Sequence, residues 1–84
     1  MSEKNAIKTN DVIEDYVISC ERGFQIMAEE FGKSVAQFIT DAGISASIFE
    51  RAWGKGNLPQ LKHILIVADH YNIMLDELFD RRLR

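Results

Sequence analysis

The most reactive side chains in this 84-residue chain are two histidines and one cysteine. His63 and His70 are seven residues apart, which on a helix separates them by roughly 10 Å, so they cannot bind one metal ion unaided. Cys20 has no second cysteine with which to form a disulfide bond, and a small buried hydrophobe is the expected role for it. No Ser/His/Asp set, phosphate-binding glycine loop or paired-carboxylate motif is present. The sequence therefore predicts a protein that is not an enzyme and that needs no metal or other cofactor.

Charged side chains offer a different chemistry because they are unevenly distributed. The net charge is −3, yet residues 31–63 carry four cations against two acids, whereas residues 1–30 carry three cations against seven acids. One net-positive segment in an acidic chain is expected of a domain with a single phosphate-facing side. An ordinary solvated surface would also fit this distribution, so charge alone does not decide between the two.

Two helical patterns separated by a glycine turn position these cations. The apolar pattern that follows Ser34 stops at Ala42–Gly43, and a second pattern begins after Ser45. Gly43 can adopt the positive φ of a sharp turn, and each serine hydroxyl can cap the free N–H groups of the helix that follows it. This succession predicts a helix-turn-helix, whose second helix is of the kind that enters a DNA major groove.

The rest of the chain completes an all-α, compact five-helix domain over residues 11–79, between a flexible arm (residues 1–10) and a basic tail (residues 80–84). Helix one is expected from Asp11 to about Phe31, and its apolar stripe is Ile13, Val17, Cys20, Phe24, Met27 and Phe31. Helix four is expected over about residues 60–71, and its inward side chains are Leu61, Ile64, Leu65, Ala68 and Tyr71. A short last helix is expected over about residues 75–79. No β-type alternation is present.

Size and composition favour one soluble domain. A chain with 46% hydrophobic and 27% charged residues is typical of a folded protein with one modest core. The longest apolar run, Ile64–Ala68, is far shorter than the ~20 residues that span a bilayer, and the polar N-terminus has no signal-peptide pattern. With a single cysteine, these features predict a cytoplasmic protein with no membrane partner.

Residues 33–79 resemble the helix-turn-helix domain of the lambda-repressor and Cro-like (Xre-type) DNA-binding proteins, as a divergent member. The matching features are a Ser-capped second helix, an Ala-Gly-Ile-Ser turn, a glycine-containing loop before a proline, and Asp-Glu-Leu near the end. In this chain they are Ser34, Ala42–Ser45, Gly54–Gly56, Pro59, Ala68 and Leu75–Leu78. The resemblance implies a transcriptional regulator, most often a repressor, that binds double-stranded DNA as a homodimer with helix three in the major groove.

The resemblance also implies which residues contact DNA. Base edges would be read by Ser45, Ala46, Ser47, Glu50 and Arg51. Arg51 is the strongest candidate, because its guanidinium can donate two hydrogen bonds to O6 and N7 of one guanine. Phosphates would be contacted by Lys33, Ser34, Lys55, Asn57 and Lys62. So few phosphate contacts imply a weak monomer, so that dimerisation would be needed to link two half-sites. The alternative is that Glu50 and Arg51 are plain surface charges, and for Glu50 the two interpretations have about equal weight, since a carboxylate near phosphates costs affinity.

A second interpretation is a protein-interaction module that keeps the helical fold without binding DNA, such as an antirepressor or an accessory subunit. The acidic N-terminal third favours it, as does Val35, where the family often has a polar residue that anchors on phosphate. This interpretation predicts a protein partner bound through helix one. Ile18 and Ile26, which lie off the apolar stripe, would then belong to the contact surface.

Overall fold

The computed structural model describes the backbone of residues 2–80 and the side chains of residues 12–80. Four α-helices are followed by one 3₁₀ helix, in the order α1 (Ser2–Glu30), α2 (Val35–Asp41), α3 (Ala46–Gly54), α4 (Leu61–Tyr71) and a 3₁₀ helix (Leu75–Leu78). This part of the chain contains no β-strand, so the predicted all-α class is confirmed.

Two element predictions differ from the structure. The fifth element is a single 3₁₀ turn of four residues instead of a fifth α-helix. Helix α1 begins at Ser2, not at Asp11, and its backbone includes residues 2–10, where the sequence predicted an arm. The sequence-based start was misplaced because polar residues without an apolar period can continue a helix that is already formed. Of the predicted basic tail, residues 81–84 lie outside the described residues.

Local capping signals account for most helix ends. The Ser34 hydroxyl accepts a hydrogen bond from the Gln37 N–H at 3.1 Å, which confirms its predicted role at the start of α2. Asn72 ends α4 in the left-handed conformation with φ of 55°, also as predicted. Ser45 does not cap α3. Its hydroxyl instead lies 2.8 Å from the Ser47 hydroxyl, which competes with the backbone N–H groups.

The core is built around Phe24, a fully buried side chain in the middle of α1. Its ring contacts those of Phe38 on α2, Phe49 on α3 and Trp53 on α3, with centroids 6.0, 5.1 and 5.2 Å apart. Edge-on and tilted aromatic contacts of this kind add to the stabilisation from buried area. One residue of α1 thus joins the first three helices.

The predicted α1 stripe is buried only in its middle. Val17, Cys20, Phe24 and Met27 are in the core, whereas Ile13 and Phe31 at its two ends are 44% and 41% exposed. Towards its N-terminus the α1 helix is longer than the core that it covers, whereas Phe31 lies just after α1 and packs against the rings of Phe38 and Tyr71.

The orientation of α4 also differs from the prediction. Its buried side chains are Ile64, Val67 and Ala68, and Leu61 and Leu65 are 59% and 46% exposed. Ile64 and Ala68 are buried as predicted, but the prediction was wrong for Leu61 and Leu65, because residues 64–68 are apolar on every side and two neighbouring faces satisfy the same helical period. The contacts with the rest of the fold select the face that contains Val67.

The C-terminal segment is held against α1 by two hydrogen bonds between Ser19 and Asp80, one of them from the Ser19 side chain. The Ser19 hydroxyl donates to the carbonyl oxygen of Asp80 at 2.8 Å, and the Asp80 N–H donates to the carbonyl oxygen of Ser19 at 2.9 Å. Gly23 lies one turn further along α1 and has no side chain to obstruct this approach. Leu78 is consequently fully buried between α1 and α4.

Candidate nucleic-acid interface around α3

The connection between α2 and α3 is short and hydrogen-bonded. The N–H groups of Ala42 and Gly43 donate to the carbonyl oxygens of Ile39 and Thr40 at 3.0 and 2.9 Å, and Gly43 has a φ of 91°. The next side chain, Ile44, is buried in the core. A positive φ followed by a buried anchor reverses the chain over few residues, which fixes where α3 begins relative to α2.

The residues predicted to read bases do not all face solvent. Ser45, Ser47, Glu50 and Arg51 are exposed, whereas Ala46 is partly buried and packs against the core. Phe49 and Trp53 fix the opposite face of the helix in the core. The outer face of α3 therefore presents hydroxyl, carboxylate and guanidinium groups on a helix that is held rigidly from behind.

A groove runs beside this outer face, between α3 and the start of α4. It has a volume of about 310 Å³, and its lining includes Arg51 from α3, Lys55 and Asn57 from the loop, Gln60 just before α4, and His63 from the first turn of α4. The structure thus brings together three residues from the two predicted contact sets, Arg51, Lys55 and Asn57. Gln60 and His63 were not predicted.

The two cations of the groove form no ion pair with a carboxylate of the described residues. Among residues 12–80, neither Arg51 nor Lys55 is within ion-pair distance of an acid. Both side chains are exposed at the C-terminal end of α3, where the helix dipole favours positive charge. Two uncompensated cations next to a concave surface attract an anionic ligand, and the attraction weakens as salt rises.

The remaining predicted phosphate contacts are separate from the groove or already engaged. Lys33 Nζ is 2.6 Å from the Asp41 carboxylate and 3.4 Å from the Tyr71 hydroxyl, and it lies 5.1 Å from the centre of the Tyr71 ring. Ser34 caps α2. Lys62 is exposed on α4 but does not line the groove.

The contacts of Lys33 and Asp41 alter the pKa of each group. The hydrogen bond to Asp41 raises the pKa of the Lys33 ammonium, and that bond, aided by the Gln37 amide, lowers the pKa of the Asp41 carboxyl. Lys33 would have to leave Asp41 in order to contact a phosphate. It is therefore a poorer anion ligand than Lys55.

The chemistry of the one cysteine is set by its place in the core. Cys20 is fully buried, and desolvation raises the pKa of its thiol to about 12, with an opposing contribution from the adjacent Trp53 indole. No cluster of three His, Cys, Asp or Glu side chains that could hold a metal ion occurs among the described residues. No helix in this part of the chain is both long and apolar enough to cross a membrane.

Gln60 and His63 could not be identified from the sequence, because the path of residues 54–60 determines what lies beside α3. Gly56 adopts a φ of 76°, and the Asn57 N–H donates to the Ala52 carbonyl oxygen at 2.8 Å, which folds the loop back against the helix. His63 Nδ1 is buried without a hydrogen-bond partner among the described side chains.

Comparison of the chain with protein-family models, with curated protein sequences and with solved structures found no significant match.

Proposed function

We propose that this protein is a sequence-specific DNA-binding transcriptional regulator that acts as a homodimer. In this proposal α2, the turn at Gly43 and α3 form a helix-turn-helix, and α3 enters the major groove. The observation that supports it most is the grouping of Arg51, Lys55 and Asn57 around one groove on the exposed side of α3. The repressor role comes from the resemblance to the lambda-repressor and Cro-like family.

The residues of this surface have distinct roles in the proposal. Arg51 reads a guanine through two hydrogen bonds, which gives about 1–3 kcal/mol of discrimination against other bases. Ser47 and Glu50 contact neighbouring bases. Lys55 and Asn57 bind phosphates and set the position of α3 without reading sequence.

Lys33 and Ser34 have a structural role instead of a direct DNA contact. Ser34 holds the first turn of α2, and Lys33 joins both ends of that helix to Tyr71. These contacts of Ser34 and Lys33 hold α2 in place. Lys62 is then the outlying phosphate contact, directly before the groove residue His63 in α4.

A comparison of two arginine variants tests the proposal. Arg51→Ala and Arg22→Ala remove the same charge, and both arginines are exposed, but Arg22 lies on α1. We expect Arg51→Ala to weaken binding to the selected site at least tenfold and to relax its sequence preference, with Arg22→Ala close to wild type. Equal effects of the two variants would mean that only net charge matters, and would contradict base readout by Arg51.

The second candidate function is a protein-interaction module that does not bind DNA. The specific observation in its favour is the exposure of Leu61, Leu65 and Ile66 on α4, since neighbouring exposed apolar side chains often mark a protein contact. It predicts that Leu61→Gln abolishes association with a protein partner while Arg51→Ala has no effect. A loss of protein association in Leu61→Gln supports the protein-interaction function, whereas a loss of DNA binding in Arg51→Ala supports the DNA-binding function.

A further inference from the structure

The groove between α3 and the start of α4 has an apolar lining that a DNA phosphate would leave unused. Ile48, Leu58 and Pro59 line it beside the polar residues, and Ile48 and Leu58 are 38% and 40% exposed. Its volume of about 310 Å³ lies at the lower end of the range for small-molecule sites, which combine apolar walls with a few polar groups. We call this site the α3–α4 groove.

The charges in the α3–α4 groove favour an anion. Arg51 and Lys55 both line it, and the Lys55 N–H donates to the Arg51 carbonyl oxygen at 3.2 Å, so the two side chains leave the same helical turn. None of the described residues that line the groove is an acid, and neither cation is in an ion pair with a described acid. Two neighbouring cations match a head group with two negative charges. A phosphate monoester carries about −1.5 to −2 at neutral pH.

The neutral polar groups of the groove are also without partners. Within residues 12–80, the side-chain amides of Asn57 and Gln60 make no hydrogen bond, and Gln60 does not cap α4 although it occupies the N-cap position. The His63 ring packs against that of Phe49, with centroids 6.4 Å apart, and leaves its buried Nδ1 without a hydrogen bond. Polar groups that find no partner within the protein are available to a ligand.

We propose that the α3–α4 groove binds a small phosphate monoester whose ester group is apolar. Arg51 and Lys55 bind the phosphate, and the Asn57 amide donates to one of its oxygens. The ester group packs against Ile48 and Leu58. Because the same two cations contact DNA in the proposed function, the bound ligand competes with DNA. The competition rests on the proposed function, whereas binding of the ligand does not.

An NMR titration of the free protein with phenyl phosphate tests this site without DNA. We expect the backbone amide signals of Asn57, Gln60 and His63 to shift to saturation with a dissociation constant in the low millimolar range, as for a ligand of about eleven heavy atoms. No saturable shift of these signals up to about 50 mM would overturn the proposal.

Two further probes separate the contributions of charge and apolar contact. Inorganic phosphate lacks the apolar group and benzyl alcohol lacks the charge, so each should bind at least about tenfold more weakly than phenyl phosphate. Inorganic phosphate that binds as tightly as phenyl phosphate would overturn the apolar part of the site. Benzyl alcohol that binds as tightly would overturn the role of the two cations.

Variants locate the ligand in the groove. Lys55→Ala and Leu58→Gln should each raise the dissociation constant of phenyl phosphate about fivefold, because one removes a charge and the other an apolar contact. Arg22→Ala is the matched control for charge, since Arg22 is exposed on α1 outside the groove. Thermal unfolding should show that all three variants fold, because each replaced side chain is exposed. Equal effects of Lys55→Ala and Arg22→Ala would mean that only net charge matters, and would overturn the site.

A gel shift with and without phenyl phosphate tests the competition with DNA. At ten times its own dissociation constant, the ligand should raise the apparent dissociation constant for DNA about tenfold, whereas sodium chloride of equal ionic strength should have a smaller effect. Unchanged DNA binding by a saturated groove would overturn the competition. A protein that binds phenyl phosphate in the groove but binds no DNA would support the ligand site and contradict the proposed function, so the two failures are distinguishable.

Discussion

Gly23 of α1 lies directly against the backbone of Leu78, so closely that a Cβ atom at position 23 would be 2.3 Å from both the carbonyl carbon and the carbonyl oxygen of Leu78. Backbone atoms cannot move aside as a flexible side chain can. The absence of a side chain at this position is therefore what allows the C-terminal segment to reach α1, where the hydrogen bonds between Ser19 and Asp80 then hold it.

Gly23→Ala should destabilise the fold. Alanine has the better helix propensity by about 1 kcal/mol, but the methyl group forces the 3₁₀ segment away from α1, and we expect a net loss of about 1–3 kcal/mol in the free energy of unfolding. Gly54→Ala is the control, since nothing lies within 4 Å of its Cβ position and its φ is not positive. Urea unfolding that shows Gly23→Ala to be as stable as Gly54→Ala would contradict the close approach.

The orientation of α4 can be tested with two truncations. Val67 is fully buried and Leu65 is 46% exposed, so Val67→Ala should cost about 1–3 kcal/mol and Leu65→Ala less than about 1 kcal/mol, although the leucine loses more atoms. Chemical denaturation of both variants provides the measurement. The reverse order of stabilities would mean that α4 presents its other apolar face to the core.

Most local features of the fold and the buried faces of α1, α2 and α3 were predictable from the sequence, whereas the expected Ser45 cap is not seen and the buried face of α4 was not predictable. The roles of Ser34, Gly43 and Asn72 depend on a few neighbouring residues, which the sequence shows directly. The facing of α4 depends on contacts with distant elements, and the apolar run around Val67 is compatible with two faces. The place of His63 in the groove could not be predicted for a similar reason. Its position beside α3 depends on the path of the loop between α3 and α4.

Cys20 should be unreactive in the folded protein. Its burial and a thiol pKa of about 12 leave almost no thiolate near neutral pH. We expect labelling by iodoacetamide at about pH 8 to proceed only through unfolding, so that Gly23→Ala accelerates it and ligand binding slows it. Rapid labelling of the native wild type, at the rate of an exposed thiol, is the contradictory result.

The Lys33–Asp41 pair should make stability depend on pH at both ends of the range. The pKa of Asp41 is lowered, so its contribution is present above the ordinary aspartate pKa and disappears as the pH falls through the lowered value. The pKa of Lys33 is raised, so its contribution is present below the ordinary lysine pKa and disappears as the pH rises through the raised value. Unfolding of wild type and Asp41→Asn across the pH range should show a small difference near neutrality that vanishes in acid. A difference that persists unchanged in strong acid would rule out this electrostatic origin.

The central claim is that α3 and its groove bind DNA, and a salt series tests it most directly. Binding of the wild-type protein to mixed genomic fragments is measured by gel shift from low to physiological salt, with the bound fragments sequenced. We predict binding that weakens steeply with salt, leaves one discrete sequence bound at the higher concentrations, and loses about one unit of log–log slope in Lys55→Ala. No shift at the lowest salt concentration, with the protein shown to be folded, would contradict the claim and leave the protein-interaction function.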